Sequence, residues 1–181
     1  MLGDDTTTEN RLRLLQAEFT QYQRRGPEPT GRTATRAEAP APIDLGILDY
    51  MAAAAAEVEQ HTRAADWSRP AGPVPEDISR VYEWAREHTA HLDPERQQAR
   101  EALIYRQGLE HAIAMGDTAV VSKHPCPECG CWGLIWREEA GKAACVNHYC
   151  VDSQGLSHAW TLKRLAREHV AAKSAVTSRA T

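Results

Sequence analysis

Four cysteines near the C-terminal end of the chain form two pairs with the spacing of metal ligands. Cys126 and Cys129 are separated by two residues, and Cys145 and Cys150 are separated by four. Structural zinc takes four thiolate or imidazole ligands in a tetrahedron, and two turns that each carry a pair of thiolates can supply them. Ordinary buried thiols rarely have this spacing. The sequence therefore predicts a Zn²⁺ site held by Cys126, Cys129, Cys145 and Cys150.

Two neighbouring residues leave alternatives open. The second pair is two residues wider than the common C-x2-C spacing, and His148 stands three residues after Cys145. His148 in place of Cys150 is therefore the second-ranked ligand set. Cys131 is a fifth cysteine, which we expect on the first strand of the module, packed there or left spare.

Disulfide bonds are the other explanation of paired cysteines. The N-terminus begins with the acidic segment Met1–Asp5 and has no apolar signal segment. No run approaches the roughly 20 apolar residues that a membrane span needs. Thiols stay reduced in the cytosol, where paired cysteines are typical of metal sites. We therefore expect a cytoplasmic protein with no membrane association.

The residues around the cysteines have the pattern of short strands. Large apolar side chains alternate with other residues over 132–137, which predicts a half-covered strand. The following residues predict a turn at 139–142, a returning strand at 143–146 and a third strand at 156–160. We expect these strands to form one small antiparallel sheet.

This pattern, with CPECG at 126–130, resembles the zinc ribbon, a family of CPxCG-type knuckles. The resemblance covers residues 125–161 and implies a three-stranded antiparallel sheet clamped at one end by Zn²⁺. The whole chain is also similar to actinobacterial and phage-like zinc-ribbon proteins, a likeness that implies no activity.

The rest of the sequence has the apolar periodicity and the capping residues of helices. The predicted helices are 8–25, 45–65, 76–92 opened by Pro75, 94–115 capped by Asp93, and 162–173 capped by Thr161. Helices 76–92 and 94–115 predict an αα-hairpin, and helix 45–65 completes a three-helix unit. We expect an extended segment at 118–122 and a frayed end at 174–181.

These elements predict an α+β protein in four parts. Residues 1–25 form an amphipathic helix, and the proline-rich residues 26–42 form a flexible linker. Residues 43–117 form a helical domain, and residues 118–181 form the zinc ribbon with a basic C-terminal helix.

The sequence carries no complete catalytic motif. Pro125–Cys129 matches the P-C-x-x-C half of the zinc nucleobase deaminases, but no histidine begins the H-x-E that those enzymes need. A four-thiolate zinc ion is coordinatively closed and has no position for water. We therefore expect a non-enzymatic protein.

The charge distribution suggests a nucleic-acid partner. Residues 1–120 carry 13 Lys and Arg against 20 Asp and Glu, whereas residues 121–181 carry 8 against 5. A basic ribbon and helix could contact the phosphates of DNA or RNA, although a soluble surface explains the same bias. The predicted contact residues are Arg137, Lys142, Lys163, Arg164 and Arg167.

A protein–protein interaction adaptor is the second hypothesis, with zinc in a purely structural role. Aromatic side chains are enriched at interface hot spots, and the ribbon carries Trp132, Trp136, Tyr149 and Trp160. Helix 8–25 could also hold a partner or a second copy of the chain. We expect at least two of the tryptophans to cover the core of the ribbon instead.

Overall fold

The computed structural model describes residues 45–179, in which helices precede a small sheet and a last helix follows it. The elements in order are α1 (Leu45–Ala65), a 3₁₀ turn (Ile78–Arg80), α2 (Val81–Thr89), α3 (Pro94–Ala114), a 3₁₀ helix (Thr118–Lys123), β1 (Leu134–Arg137), β2 (Lys142–Cys145), β3 (Ala159–Trp160) and α4 (Leu162–Arg179). This order confirms the α+β class. The predicted helix 8–25 and linker 26–42 lie outside the described residues.

Internal contacts divide the chain into two compact units, Met1–His88 and Thr89–Thr181. The described parts of these units are residues 45–88 and 89–179. The domain boundaries expected from the sequence stay predictions. Within the described ranges, no helix combines the length and the apolar character needed to cross a bilayer.

In the first unit, α1 has the predicted bounds and buries a stripe of residues at helical spacing. The stripe consists of Met51, Ala54, Val58 and Thr62. The Thr62 hydroxyl donates to the Val58 carbonyl at 2.8 Å, so its polar group is satisfied inside the helix. Ala52 is exposed, and Met51 takes the buried position beside it.

The helix predicted at 76–92 is shorter than expected at both ends. Pro75 does not open it, because the Asp77 carboxylate accepts from the Ser79 N–H at 2.9 Å and caps a 3₁₀ turn that leads into α2. Such a cap satisfies a donor that a helix start leaves open. At the other end, the residue before Pro94 is sterically disfavoured in helical conformation, so the chain leaves the helix before Asp93.

In the second unit, α3 and α4 pack against each other. The Asp93 carboxylate caps α3 by accepting from the Arg96 N–H at 2.9 Å, as predicted. Gly116 follows the end of α3 with φ +84°, a conformation that glycine adopts without steric cost. Helix α4 continues to Arg179, so the frayed end predicted from residue 174 was wrong for the described residues; no glycine or proline interrupts them.

The sheet has the strand order β1-β2-β3, and both pairs are antiparallel. Leu134 is opposite Cys145 and Arg137 is opposite Lys142, which places the cysteine at the far end from the hairpin turn. The segment 118–122, expected to be extended, is instead part of the 3₁₀ helix. There the Ser122 hydroxyl donates to the Ala119 carbonyl at 2.8 Å, a local bond that competes with extended structure.

One hydrophobic core joins the sheet to the helices of this unit. Its buried members come from α3, the 3₁₀ helix, the sheet, the cysteine turns and α4: Leu109, Val121, Cys126, Leu134, Ala143, Cys145, Cys150, Leu162 and Leu165. Because three cysteines belong to this core, the candidate metal site is part of the packing of the unit.

Candidate metal centre

The structure brings together the four cysteines that the spacing predicted. The sulfurs of Cys126, Cys129, Cys145 and Cys150 all lie within 4.8 Å of one another. The Cys126 and Cys150 sulfurs are 3.8 Å apart, and the Cys129 and Cys145 sulfurs are 3.7 Å apart. A tetrahedron with metal–sulfur bonds of about 2.3 Å has edges of about 3.8 Å. These two separations therefore match the edges of a tetrahedral thiolate site, and the other four are no longer than 4.8 Å.

The first pair sits on a tight turn closed by backbone hydrogen bonds. The Cys126 N–H donates to the Cys131 carbonyl at 2.9 Å, and the Gly130 N–H donates to the Cys126 carbonyl at 2.8 Å. Gly130, which turns the chain after the second cysteine, has φ +70°, a conformation that glycine adopts without steric cost. An antiparallel bridge between Pro125 and Trp132 fixes the base of the turn.

A buried aromatic cluster anchors this turn to the helices. His124 is almost fully buried two residues before Cys126. The Tyr105 hydroxyl on α3 lies 2.9 Å from His124 Nε2. The Tyr105 ring also stacks on His169 of α4, with the ring centroids 4.1 Å apart. The cluster therefore ties the start of the first cysteine turn to both α3 and α4.

The second pair is positioned by the end of the central strand β2 and by an asparagine turn. The Cys145 N–H donates to the His158 carbonyl at 2.9 Å, and the His158 N–H donates to the Cys150 carbonyl at 3.1 Å. Between the cysteines, the Asn147 side chain accepts from the Tyr149 N–H at 3.1 Å. This turn accommodates the two extra residues of the C-x4-C spacing, so that Cys150 lies next to the other three cysteines.

The alternative ligand His148 is not in the cysteine group. Its side chain is exposed, and its ring lies against that of Tyr149 with centroids 3.8 Å apart. The geometry therefore favours Cys150 as the fourth ligand.

The fifth cysteine is closer to the site than expected. Cys131 precedes β1, so its placement on the first strand was wrong. The bridge at Trp132 and the bond from Cys126 keep Cys131 in the turn. Its sulfur lies 3.1 Å from that of Cys129 and 3.7 Å from that of Cys145.

Four of the thiols have shifted pKa values, for different physical reasons. Burial raises the pKa of the Cys145 and Cys150 thiols. The pKa of Cys129 is lowered to about 6, first because the Cys131 N–H donates to its sulfur and second because of the Cys131 thiol. The contact with the Cys129 sulfur raises the pKa of Cys131 to about 12, and burial is the second cause. A cation bound here must displace protons from the buried thiols.

The residues predicted to bind nucleic acid lie in two places. Arg137 and Lys142 face each other across the end of the β1–β2 hairpin, next to the acidic Glu138 and Glu139. The others are exposed on the first two turns of α4: Lys163, Arg164 and Arg167. Acidic neighbours lie beside the basic residues at the hairpin end. On α4, Arg164 forms a salt bridge with Glu168 at 2.7 Å.

The aromatic residues of the sheet region divide into two pairs. Trp136 and Trp160 are partly buried against the core, which confirms that two tryptophans cover it. Trp132 is 69% exposed and Tyr149 is 82% exposed, and both adjoin cysteines. Exposed apolar residues continue along this region at Ile135, Val146, Val151 and Leu156.

No protein-family model, curated protein or solved structure matches this chain. The likeness to actinobacterial and phage-like proteins therefore receives no support from these comparisons. The cysteine cluster beside a three-stranded antiparallel sheet does fit a metal-binding module of the zinc-ribbon kind.

The sequence interpretation missed the helical anchor of this site. Tyr105, His124 and His169 are far apart in the chain, and no spacing rule connects them. The one available signal was the position of His124 immediately before the first cysteine turn, where a buried side chain can fix the approach to a ligand.

Proposed function

We propose that the chain is a non-enzymatic zinc protein in which Zn²⁺ is structural and the basic face of α4 binds nucleic acid. Cys126, Cys129, Cys145 and Cys150 would hold the ion as four thiolates. Zinc suits this donor set, because it has no geometric preference that opposes a tetrahedron of sulfur ligands. The protein would act as an accessory or regulatory factor on DNA or RNA.

The observation that carries nucleic-acid binding is the charge at the start of α4. Helix N-termini carry a partial positive charge, so basic side chains there cost about 0.3–1 kcal/mol each. The first turn of α4 nevertheless contains Lys163 and Arg164 and no acidic residue. The positive helix end and these basic side chains repel each other. A bound phosphate would be attracted by both, because helix N–H groups and basic side chains each favour an anion.

The geometry of α4 keeps this face available. Leu162, Leu165 and Ala166 are buried, whereas Lys163, Arg164 and Arg167 are exposed on the opposite side of the helix. Residues three and four apart lie next to each other on a helix. The three basic side chains can therefore contact one nucleic-acid backbone together.

The test is a fluorescence polarisation titration of the zinc-loaded chain with random duplex DNA at about 50 mM and about 200 mM salt. We expect Kd to rise steeply with salt. The double variant Lys163→Glu/Arg167→Glu should reduce the slope of log K against log salt by about 1.8, since each lost phosphate contact removes about 0.9. Its folding should be retained, because both side chains are exposed and glutamate at position 163 suits the first turn of a helix.

A matched control makes the same change in net charge elsewhere. Arg69 and Arg80 are exposed residues of the other unit, so Arg69→Glu/Arg80→Glu should leave the salt slope unchanged. If both double variants lowered the salt slope equally, binding would depend on the net charge of the protein and not on the basic face of α4, which would contradict the proposal. Absent or salt-insensitive binding of the wild type would contradict the proposal.

A protein adaptor is the second candidate, favoured by the exposed Trp132 and Tyr149. Aromatic side chains of this size supply much of the binding energy at protein interfaces. Apolar side chains exposed together are typical of interaction sites. Under this alternative, Trp132→Ala/Tyr149→Ala would abolish partner binding and leave zinc content unchanged, whereas the α4 variant would have no effect.

A further inference from the structure

The closest pair of sulfurs at the centre includes a cysteine that the tetrahedral site does not need. The Cys129–Cys131 sulfur separation of 3.1 Å is shorter than the 3.7 Å between Cys129 and Cys145. Cys129 is exposed and Cys131 is half-buried, whereas the other three cysteines are buried. A small solvent-borne reactant therefore meets this pair first.

The backbone holds the two sulfurs together. The Cys126 N–H bond to the Cys131 carbonyl closes the turn on one side, and the bridge at Trp132 continues it. The Cys131 N–H donates to the sulfur of Cys129. A disulfide has its sulfurs about 2.05 Å apart, so closure needs an approach of about 1 Å.

We propose that Cys129 and Cys131 are an oxidation site for peroxides, at which a disulfide replaces one ligand of the metal centre. The Cys129 thiolate attacks H₂O₂; the O–O bond breaks, an S–O bond forms and hydroxide leaves. The Cys131 thiol then attacks the Cys129 sulfur, forming the S–S bond as the S–O bond breaks and water leaves. Each sulfur loses one electron, and the peroxide gains two.

The roles of the two residues follow from their positions. An exposed thiolate next to a resolving cysteine is the arrangement of redox-sensitive sites. Cys129 is the exposed ligand, and Cys131 is the neighbour that converts its sulfenic acid to a disulfide before further oxidation. Thiol reductants reverse the reaction by exchange.

Oxidation of this pair would weaken both the metal site and the fold around it. Three thiolates remain for the ion: Cys126, Cys145 and Cys150, all of which belong to the core. If the metal is lost, the two cysteine turns are no longer joined through the ion, and the remaining thiols stay buried without it. Exposure to peroxide would therefore lower the stability of the second unit, whether or not the chain binds nucleic acid.

Zinc release from the full chain tests the proposal. The zinc-loaded protein is treated with H₂O₂, and the freed ion is followed with a chromophoric chelator. We expect zinc release from both the wild type and Cys131→Ser, which keeps the four predicted ligands and the attacking Cys129 thiolate. Dithiothreitol followed by zinc should restore metal binding in the wild type but not in Cys131→Ser, whose Cys129 has no resolving thiol and is oxidised further to sulfinic acid. Equal recovery of the two proteins would overturn the proposal.

Disulfide mapping of the oxidised wild type gives a second result that does not depend on any variant. Cleavage after Glu128 and Glu138 yields a peptide, 129–138, whose only cysteines are Cys129 and Cys131. We expect this peptide to be lighter by two hydrogen atoms. A disulfide between Cys126 and Cys150 instead would overturn the assignment. If Cys131→Ser does not take up zinc, Cys131→Ala serves as the comparison.

Discussion

Gly133 connects the first cysteine turn to β1 in a conformation and a space that only glycine fits. Its φ is +145°, and a Cβ added there would lie 2.6 Å from Cγ2 of Val146. A side chain forced into a sparsely populated backbone region costs about 1–3 kcal/mol, and overpacking costs about 1–3 kcal/mol more. We predict that Gly133→Ala lowers the free energy of unfolding by about 3 kcal/mol.

Two comparison variants separate the backbone contribution from the clash. Gly155 also has positive φ, +76°, but no atom lies within 4 Å of an added Cβ. Gly155→Ala should therefore cost only about 1 kcal/mol, the backbone term alone. In Gly133→Ala/Val146→Ala the clash is absent, and because Val146 is 53% exposed, its truncation alone should have little effect. The double variant should recover about 1–2 kcal/mol relative to Gly133→Ala.

The assay is denaturant unfolding of the zinc-saturated proteins at one fixed concentration of free zinc. Fixing the ion matters because ligand binding adds to the apparent stability of the native state. Equal destabilisation by Gly133→Ala and Gly155→Ala, with no recovery in the double variant, would refute the reasoning about the close approach of Val146.

Three further predictions concern the core, the pH response and the metal. Leu134→Ala should lower the free energy of unfolding by about 2–5 kcal/mol in denaturant titrations, since this side chain is 1% exposed; Ile135→Ala, on the exposed side of β1, should cost about 1 kcal/mol or less. The N–H groups of Leu156 and Gln154 lower the pKa of Asp152 in the folded state. The ionised carboxylate therefore stabilises the fold fully above its ordinary pKa of about 3.9, and this stabilisation is lost as the pH falls through the lower pKa of the folded state. The difference in melting temperature between the wild type and Asp152→Asn should therefore shrink in acid. Removing the metal with a chelator should shift tryptophan fluorescence to longer wavelength, because Trp136 and Trp160 pack on the core that contains the cysteines.

The parts of the fold that could be predicted from the sequence depend on local chemistry. The Asp93 cap with Pro94 set the start of α3, and the Thr161 hydroxyl accepts from the Arg164 N–H at 3.3 Å at the start of α4. The alternation over 132–137 identified β1, with Leu134 buried and Ile135 exposed, but placed its start two residues too early, because β1 is Leu134–Arg137. Such signals act within a few residues, so a single sequence contains them in full.

The parts that could not be predicted depend on tertiary packing. In α3, Leu103 is only half-buried, whereas Ile104, Gln107 and Ala112 are buried. A helix that is covered on more than one side does not show a single stripe. The same holds for residues 118–122, which we expected to be extended. They lie in a 3₁₀ helix that buries Val121 fully in the core.

The candidate site shows the same division. The paired spacing selected four cysteines and ranked Cys150 ahead of His148, but it did not contain the physical reason, which is the turn made by Asn147. The position of Cys131 beside Cys129 depends on the backbone bond from Cys126, which no spacing rule contains.

The most direct test of the zinc centre is the metal content of purified protein by elemental analysis, in the wild type and four single variants. We predict one Zn²⁺ per chain in the wild type, in His148→Ala and in Cys131→Ser, and none in Cys126→Ser or Cys150→Ser. Zinc retained in Cys150→Ser and lost in His148→Ala would contradict the four-thiolate centre.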